Sequence, residues 1–271
     1  MRSASLLAVA LALSACAGGG GDTAAPSSSA PLPSGLVLQV ALTGGYTTPE
    51  ELASRLPVVS VYGDGRVLTQ GPRIEIWPTP ALPNVQVQQV DEATVRDLVD
   101  RAVEAGVTET GDLGEPPIAD VPTTRFTLVT AEGTVVRDVS ARVEIPTGTL
   151  TAEQEEARER LQDLVGVLTS VDGESQAYVP QTVAAVVRPH TGGDPELPQP
   201  DVAWPGPELP GAPLGAGLTC VSATGQEAAD VLAAAASANV LTPWVAVDGS
   251  RWAVAFRPVL PHETGCADLA G

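Results

Sequence analysis

The 271-residue chain carries 33 acidic and 14 basic side chains, a formal net charge of −19. This balance argues against a nucleic-acid partner, because a phosphate-binding surface needs clustered Lys or Arg, and it disfavours contact between the folded surface and anionic lipid head groups. Aromatic residues are only 3% of the chain and hydrophobic residues 44%, so a core must consist mostly of Val, Leu and Ala.

The amino terminus has the pattern of a secretory signal peptide. Arg2 supplies the basic region, residues 4–13 are predominantly apolar, and the small residues Ser14 and Ala15 precede Cys16. A membrane-spanning helix needs about 20 apolar residues, so this run is too short to span. We therefore expect residues 1–15 to be a signal peptide.

Residues 13–16, with the sequence LSAC, resemble the lipobox of bacterial lipoproteins. That resemblance implies transfer of a diacylglycerol to the Cys16 thiol, cleavage before it, and a chain held by its lipid at the extracytoplasmic face of the cell membrane. The rest of the segment 16–34 is rich in Gly, Ser, Ala and Pro, which predicts a disordered tether. As a flexible coil, such a tether has a reach on the order of 25 Å.

Three segments predict β-hairpins, since each has two runs of β-formers around an acid-Gly pair: residues 58–69, 126–139 and 244–256. In the third, a two-residue turn at Asp248-Gly249 predicts one buried face. That face contains Val245, Val247, Trp252, Val254 and Phe256.

Three helices are predicted between the hairpins. The first has Asp91 as its N-cap, extends to Ala105 and has a predicted buried apolar stripe that includes Val103. The second opens with a capping box at Thr151 and has its apolar residues up to Leu168, and the third opens with a similar box at Thr224 and is alanine-rich to about Ala238. The whole body is therefore predicted to be α+β, with antiparallel hairpins forming a sheet and about three helices packed mostly on one face.

Composition divides the body into three parts. Residues 35–187 are predicted to be an α+β domain, and residues 214–271 a unit of one helix and one hairpin. Between them, residues 188–213 hold eight prolines, which leaves two alternatives: a linker between domains, or an extended strap pinned by Trp204.

Cys220 and Cys266 are the two cysteines besides Cys16. An exported location permits disulfides, so we predict that these two cysteines are joined. A reactive or metal-binding thiol pair is the alternative, but the sequence shows no further ligands close to either cysteine.

A search for chemistry finds no complete catalytic or metal motif, and no cofactor is expected. Serine nucleophiles need a base, yet His190 and His262 both lie in proline-containing stretches typical of surface loops. H-E-x-x-H, C-x-x-C and phosphate-binding glycine loops are absent. The tryptophans are interpreted as core or strap residues, with a sugar-binding platform as the alternative.

The whole arrangement resembles lipoproteins of high-GC Gram-positive bacteria, including the Y-G-D-G turn at 62–65 and the R-P-x-L-P-H-E-x-x-C stretch at 257–266. That resemblance implies no particular activity. The leading hypothesis is a non-catalytic, lipid-anchored domain that binds a protein or cell-envelope component. The alternatives are an envelope hydrolase that uses carboxylates and a small-ligand carrier.

Overall fold

Two mostly antiparallel sheets, formed one after the other along the chain, organise the protein. The computed structural model describes residues 32–141, 148–193 and 195–269, and these belong to one compact unit that begins at Leu32. With 32% strand and 22% helix, the fold is α+β and strand-rich. The predicted signal peptide and Cys16 lie outside the described residues.

The first sheet has seven strands in the order β6-β5-β1-β2-β3-β4-β7. All its neighbouring strands are antiparallel. The strands are β1 (Leu36–Thr43), β2 (Val59–Tyr62), β3 (Arg66–Gln70), β4 (Val85–Gln89), β5 (Thr123–Thr130), β6 (Gly133–Val139) and β7 (Ser175–Ala177). The first two predicted hairpins are confirmed as the pairs β2–β3 and β5–β6.

Two of the predicted helices cover this sheet, and local capping determines where they begin. Helix α2 (Glu92–Glu104) begins after Asp91, whose side chain accepts from the Thr94 amide. Helix α3 (Ala152–Thr169) has the complete capping box between Thr151 and Gln154. Both N-termini are therefore confirmed. A shorter helix that the sequence did not indicate, α1 (Pro49–Ser54), begins at a Thr48 cap.

The first core lies between this sheet and helices α2 and α3. It consists almost entirely of Val, Leu and Ala, with Phe126 as the one buried aromatic side chain of the cluster. One apolar position was assigned wrongly, because Val103 is 45% exposed. The burial of Arg158 was not predicted from the sequence. Its guanidinium donates to the carbonyls of Leu113 and Ala141 at 2.9 Å.

The second sheet has six strands in the order β10-β11-β8-β13-β12-β9. Its strands are β8 (Thr182–Pro189), β9 (Val202–Ala203), β10 (Ala212–Gly215), β11 (Leu218–Thr224), β12 (Trp244–Val245) and β13 (Arg251–Pro258). The sequence led us to expect one sheet. The chain instead starts a separate sheet at Thr182, after crossing over from β7 through residues 178–181.

The third hairpin forms, but its register differs from the prediction. Trp244 pairs with Trp252, and a five-residue loop, 246–250, replaces the two-residue turn. Within this loop the Ala246 amide donates to the Ser250 carbonyl at 2.9 Å. A slip of one residue moves side chains of the first strand to the opposite face. Trp244 is therefore buried, whereas Val247 is fully exposed.

Helix α4 (Gly225–Ala235) covers one face of the second sheet. Its start at Thr224 agrees with the prediction, but the Thr224 side chain makes no capping hydrogen bond, and the helix ends three residues before the predicted Ala238. Ala228, Val231 and Ala235 are its buried residues. Their small size allows the helix to approach the sheet closely.

The proline-rich segment 188–213 adds β9 to the edge of the second sheet, where β9 pairs in parallel with β12. Trp204 follows β9 directly and is 8% exposed. Its ring meets Trp244 edge to face at 5.6 Å and stacks on Phe256 at 6.3 Å between centroids. Such aromatic pairs contribute beyond their buried area.

The other face of the second sheet carries the cysteine pair. Cys220 of β11 and Cys266 of a short 3-10 helix (Cys266–Asp268) are joined by a disulfide with an S–S distance of 2.05 Å. Helix α1 packs on the same face through Ala53, and Glu50 of α1 forms an ion pair with Arg188 at 2.5 Å. Among the described helices, none is long and apolar enough to cross a bilayer.

Candidate functional site

A cavity of about 340 Å³ opens where the chain passes twice between the two sheets. One passage is the crossover from β7 to β8, and the other is the segment that follows β13. Leu260 packs with Tyr62 and Leu68 of the first sheet, while Val259 packs with Ala184 and Val186 of the second. The cavity is lined by Arg66, Tyr178, Val179, Gln181, Thr182, Val259, Leu260, Pro261 and Glu263.

The β2–β3 turn positions Arg66 on the wall. Gly65 in this turn has a φ of 89°, and a Cβ there would collide with the Val90 carbonyl, so the turn requires glycine. The Arg66 guanidinium forms an ion pair with Asp64 at 2.7 Å and lies 5.3 Å from the centre of the Tyr62 ring. Hydrogen bonding with Asp64 raises the pKa of Arg66.

Glu263 presents the cavity's carboxylate, which already has two partners. Its Oε1 accepts from the Arg257 guanidinium at 2.6 Å, and its Oε2 accepts from the Leu260 amide at 2.7 Å. The side chains of Arg257 and Glu263 are 3% and 11% exposed. A buried ion pair of this kind is stable only when further hydrogen bonds satisfy it, which the Leu260 amide provides on the acidic side.

A chain of polar contacts lies beside the cavity on the outer face of β1 and β2. The Tyr62 hydroxyl is 2.8 Å from Nδ1 of His262, and Nε2 of that histidine is 3.4 Å from the Gln39 amide nitrogen. Gln39 in turn donates to the buried Ser60 hydroxyl at 3.0 Å. His262 is exposed, as expected for a surface loop residue, but its contacts with Gln39 and Tyr62 of the first sheet were not predicted.

Burial shifts the acidity of these groups. It raises the pKa of both the Tyr62 and the Tyr178 phenol. Loss of water around the ring lowers the pKa of His262, which favours the neutral imidazole. The Tyr178 hydroxyl donates to the Val259 carbonyl at 2.9 Å and so joins the two walls.

The side chains of Gln181 and Thr182 complete the polar wall. Neither makes a hydrogen bond within the part of the chain that the structure describes. Gln181 is exposed and Thr182 is half-buried. An amide and a hydroxyl can each both donate and accept, so the cavity offers unpaired donors and acceptors to a ligand.

The residues singled out in the sequence lie elsewhere. Cys16 falls outside the described residues, and the disulfide of Cys220 and Cys266 lies on the face of the second sheet that carries α1. His190 is half-buried after β8. No group of three His, Cys, Asp or Glu side chains is placed to hold a metal ion in the described ranges.

A second exposed feature is the loop between β3 and β4. Ile74, Ile76 and Trp77 are 59%, 53% and 66% exposed, which corrects the interpretation of Trp77 as a core or strap residue. The base of the loop is held by the second half of the chain, since the Val240 amide bonds to the Thr79 carbonyl at 3.0 Å. Three large apolar side chains so close together on a surface are typical of an interaction site.

A scan against models of protein families finds no match, and a search of curated proteins also finds none.

Proposed function

We propose that the protein is a non-catalytic, lipid-anchored extracytoplasmic domain that binds a component of the cell envelope in the cavity between its two sheets. The observation that supports this proposal is the cavity itself. Its volume of about 340 Å³ lies within the range of small-molecule sites, roughly 300–1,000 Å³. Its walls combine apolar side chains with a few convergent polar groups, as binding sites do.

The geometry favours binding over carboxylate hydrolysis. Glycoside hydrolysis typically needs two carboxyl groups on either side of the scissile bond, one of which transfers a proton. Among the residues that line the cavity, Glu263 is the one acid, and both its oxygens already accept hydrogen bonds. The same cavity is compatible with a small-ligand carrier, which differs from our proposal only in whether the ligand is released elsewhere.

This proposal also includes the positions of the helices relative to the two sheets. We infer that the longer helices lie mostly on one face of each sheet, because α2 and α3 pack in one core and α4 in another. The opposite faces then remain available for the segment that follows β13, which carries Val259 and Leu260 to the two sheets.

Anchoring at Cys16 would hold this site near the membrane. A tether raises the local concentration of a binding module at the surface that carries its ligand. In cell fractionation, we expect Cys16→Ala to release or mislocalise the chain while leaving its unfolding midpoint unchanged. Unaltered membrane retention of this variant would contradict the anchor.

The loop with Ile74, Ile76 and Trp77 favours a second candidate, a protein partner of the same anchored domain. Aromatic anchors are enriched at the centre of protein interfaces. The test is crosslinking in the native membrane. Crosslinks from this loop to one recurring protein, lost in Trp77→Ala, would support the protein partner.

Blocking the cavity tests the leading proposal. Gln181→Trp should fill the opening and abolish crosslinks between the membrane-bound protein and envelope material, as measured by mass spectrometry. The matched control is Gln176→Trp on β7, which is exposed and does not line the cavity. Identical crosslinks from both variants would show that the cavity is not the binding site.

A further inference from the structure

The charges of the cavity walls are neutralised in pairs. Arg66 is bonded to Asp64 at 2.7 Å, and Glu263 is bonded to Arg257 at 2.6 Å. A charged ligand would therefore find no unpaired opposite charge on these walls. An anion would in addition be opposed by the net charge of −19 on the whole chain.

The remaining hydrogen-bonding capacity is mixed. Gln181 and Thr182 can each donate and accept, Nη1 of Arg66 makes no hydrogen bond within the described ranges, and a carboxylate such as Glu263 can accept more than two bonds. A wall with both donors and acceptors suits a ligand whose groups can both donate and accept hydrogen bonds. Hydroxyl groups have this property.

Another part of the lining is apolar. Val179, at 75% exposure, and the exposed Pro261 both line the cavity, whereas Val259 and Leu260 pack against the two sheets. A ligand that fits both parts has a polar edge and an apolar face. A saccharide ring has this form, because its hydroxyls lie at the edge and its C–H groups form the faces.

We infer that the cavity takes an uncharged polyhydroxylated ligand with the chemistry of a saccharide ring, recognised by Gln181 and Thr182 beside Arg66 and Glu263. This inference rests on the proposed function, because it names the class of envelope component that the same cavity would bind. It excludes anions, cations and zwitterions as the preferred ligands.

The test uses the lipidated chain in a sugar-free phosphocholine detergent at pH 7, with binding measured by saturation-transfer NMR. The uncharged probes are glucose, maltose and N-acetylglucosamine, and the charged probes are succinate, phosphate, putrescine and glycine. We expect at least one uncharged probe to bind with a dissociation constant of about 1 mM or tighter, and the charged probes to bind at least tenfold more weakly.

The double variant Gln181→Ala/Thr182→Val should weaken binding of the uncharged probe at least tenfold. The matched control Gln176→Ala/Thr134→Val changes the same residue types at exposed positions away from the cavity and should leave binding unchanged. Equal unfolding midpoints of the two double variants would show that the loss does not come from unfolding.

The other outcomes separate the two proposals. If a charged probe binds best and the cavity variant weakens it, the inferred ligand class is overturned, while the cavity remains a binding site. If no probe of either kind binds in a way that the cavity variant weakens, both the ligand class and the cavity as a small-ligand site are overturned.

Discussion

The two sheets are each covered on one face, but by different types of side chain. The first sheet is covered by α2 and α3 through Leu and Val side chains, with Phe126 as the one buried aromatic of that cluster. The second sheet is covered by the alanine-rich α4, and the same cluster contains Trp204, Trp244 and Phe256. Where a helix offers small side chains, large ones from elsewhere fill the remaining volume, and here Trp204 comes from the proline-rich segment.

The largest effect should come from removing the centre of each core. Trp244 is 1% exposed and Leu128 is fully buried. We expect Trp244→Ala to lower the free energy of unfolding by about 3–5 kcal/mol and Leu128→Ala by about 2–5 kcal/mol, measured by urea unfolding and circular dichroism. Trp77→Ala, at an exposed position, should cost less than about 0.5 kcal/mol.

Because the described residues belong to one compact unit, both core variants should shift a single transition. Two separate transitions, with Trp244→Ala moving one and Leu128→Ala the other, would show that the halves unfold independently.

The second half also differs in having a covalent link. Cys220 and Cys266 are 46 positions apart, and in the chain-entropy model closing such a loop stabilises the fold by about 4 kcal/mol. We expect Cys220→Ala/Cys266→Ala to lose about this much in urea unfolding. Reductant should lower the wild-type midpoint to a similar value, and an unchanged midpoint under full reduction would contradict the prediction.

The ion pair behind the cavity should matter more than an exposed one. Glu263→Gln leaves the Arg257 charge, at 3% exposure, buried without its carboxylate, which should cost about 3 kcal/mol. The control is Glu92→Gln, whose partner Arg96 lies one turn away on the surface of α2, with an expected cost of about 0.3–0.5 kcal/mol. Equal urea midpoints for the two variants would be inconsistent with a buried pair.

The smallest effect should be the pH response of His262. Because its pKa is lowered in the folded chain, the unfolded chain binds a proton first as the pH falls below about 6.5. Stability from this group is thus complete above that pH and is lost as the pH falls through the folded pKa. One group contributes at most about 1.4 kcal/mol per pH unit.

The measurement compares urea midpoints at pH 7.5 and 5.5 for wild type, His262→Gln and the control His190→Gln. We expect a smaller drop in His262→Gln than in the other two proteins. Equal drops in all three would show that the contact between His262 and Tyr62 has no part in the pH response.

The cavity could not be predicted from the sequence, although its residues lie in quoted motifs. Arg66 follows the Y-G-D-G turn, and Glu263 lies in the R-P-x-L-P-H-E stretch. Nothing local indicates that these motifs meet, because Tyr62 and His262 are 200 positions apart. Gln181 and Thr182 show no motif at all, and only the crossover between the sheets brings them to the wall.

The features that could be predicted correctly are those that depend on residues close together in the sequence. The caps at Asp91 and Thr151, and the first two hairpins, follow from side chains and turn residues within a few positions of each other. Long-range packing sets the other features, which are the division into two sheets, the register that buries Trp244 and exposes Val247, and the burial of Trp204 but not Trp77. These features depend on which distant surface packs against a residue, and the sequence around that residue does not identify the surface.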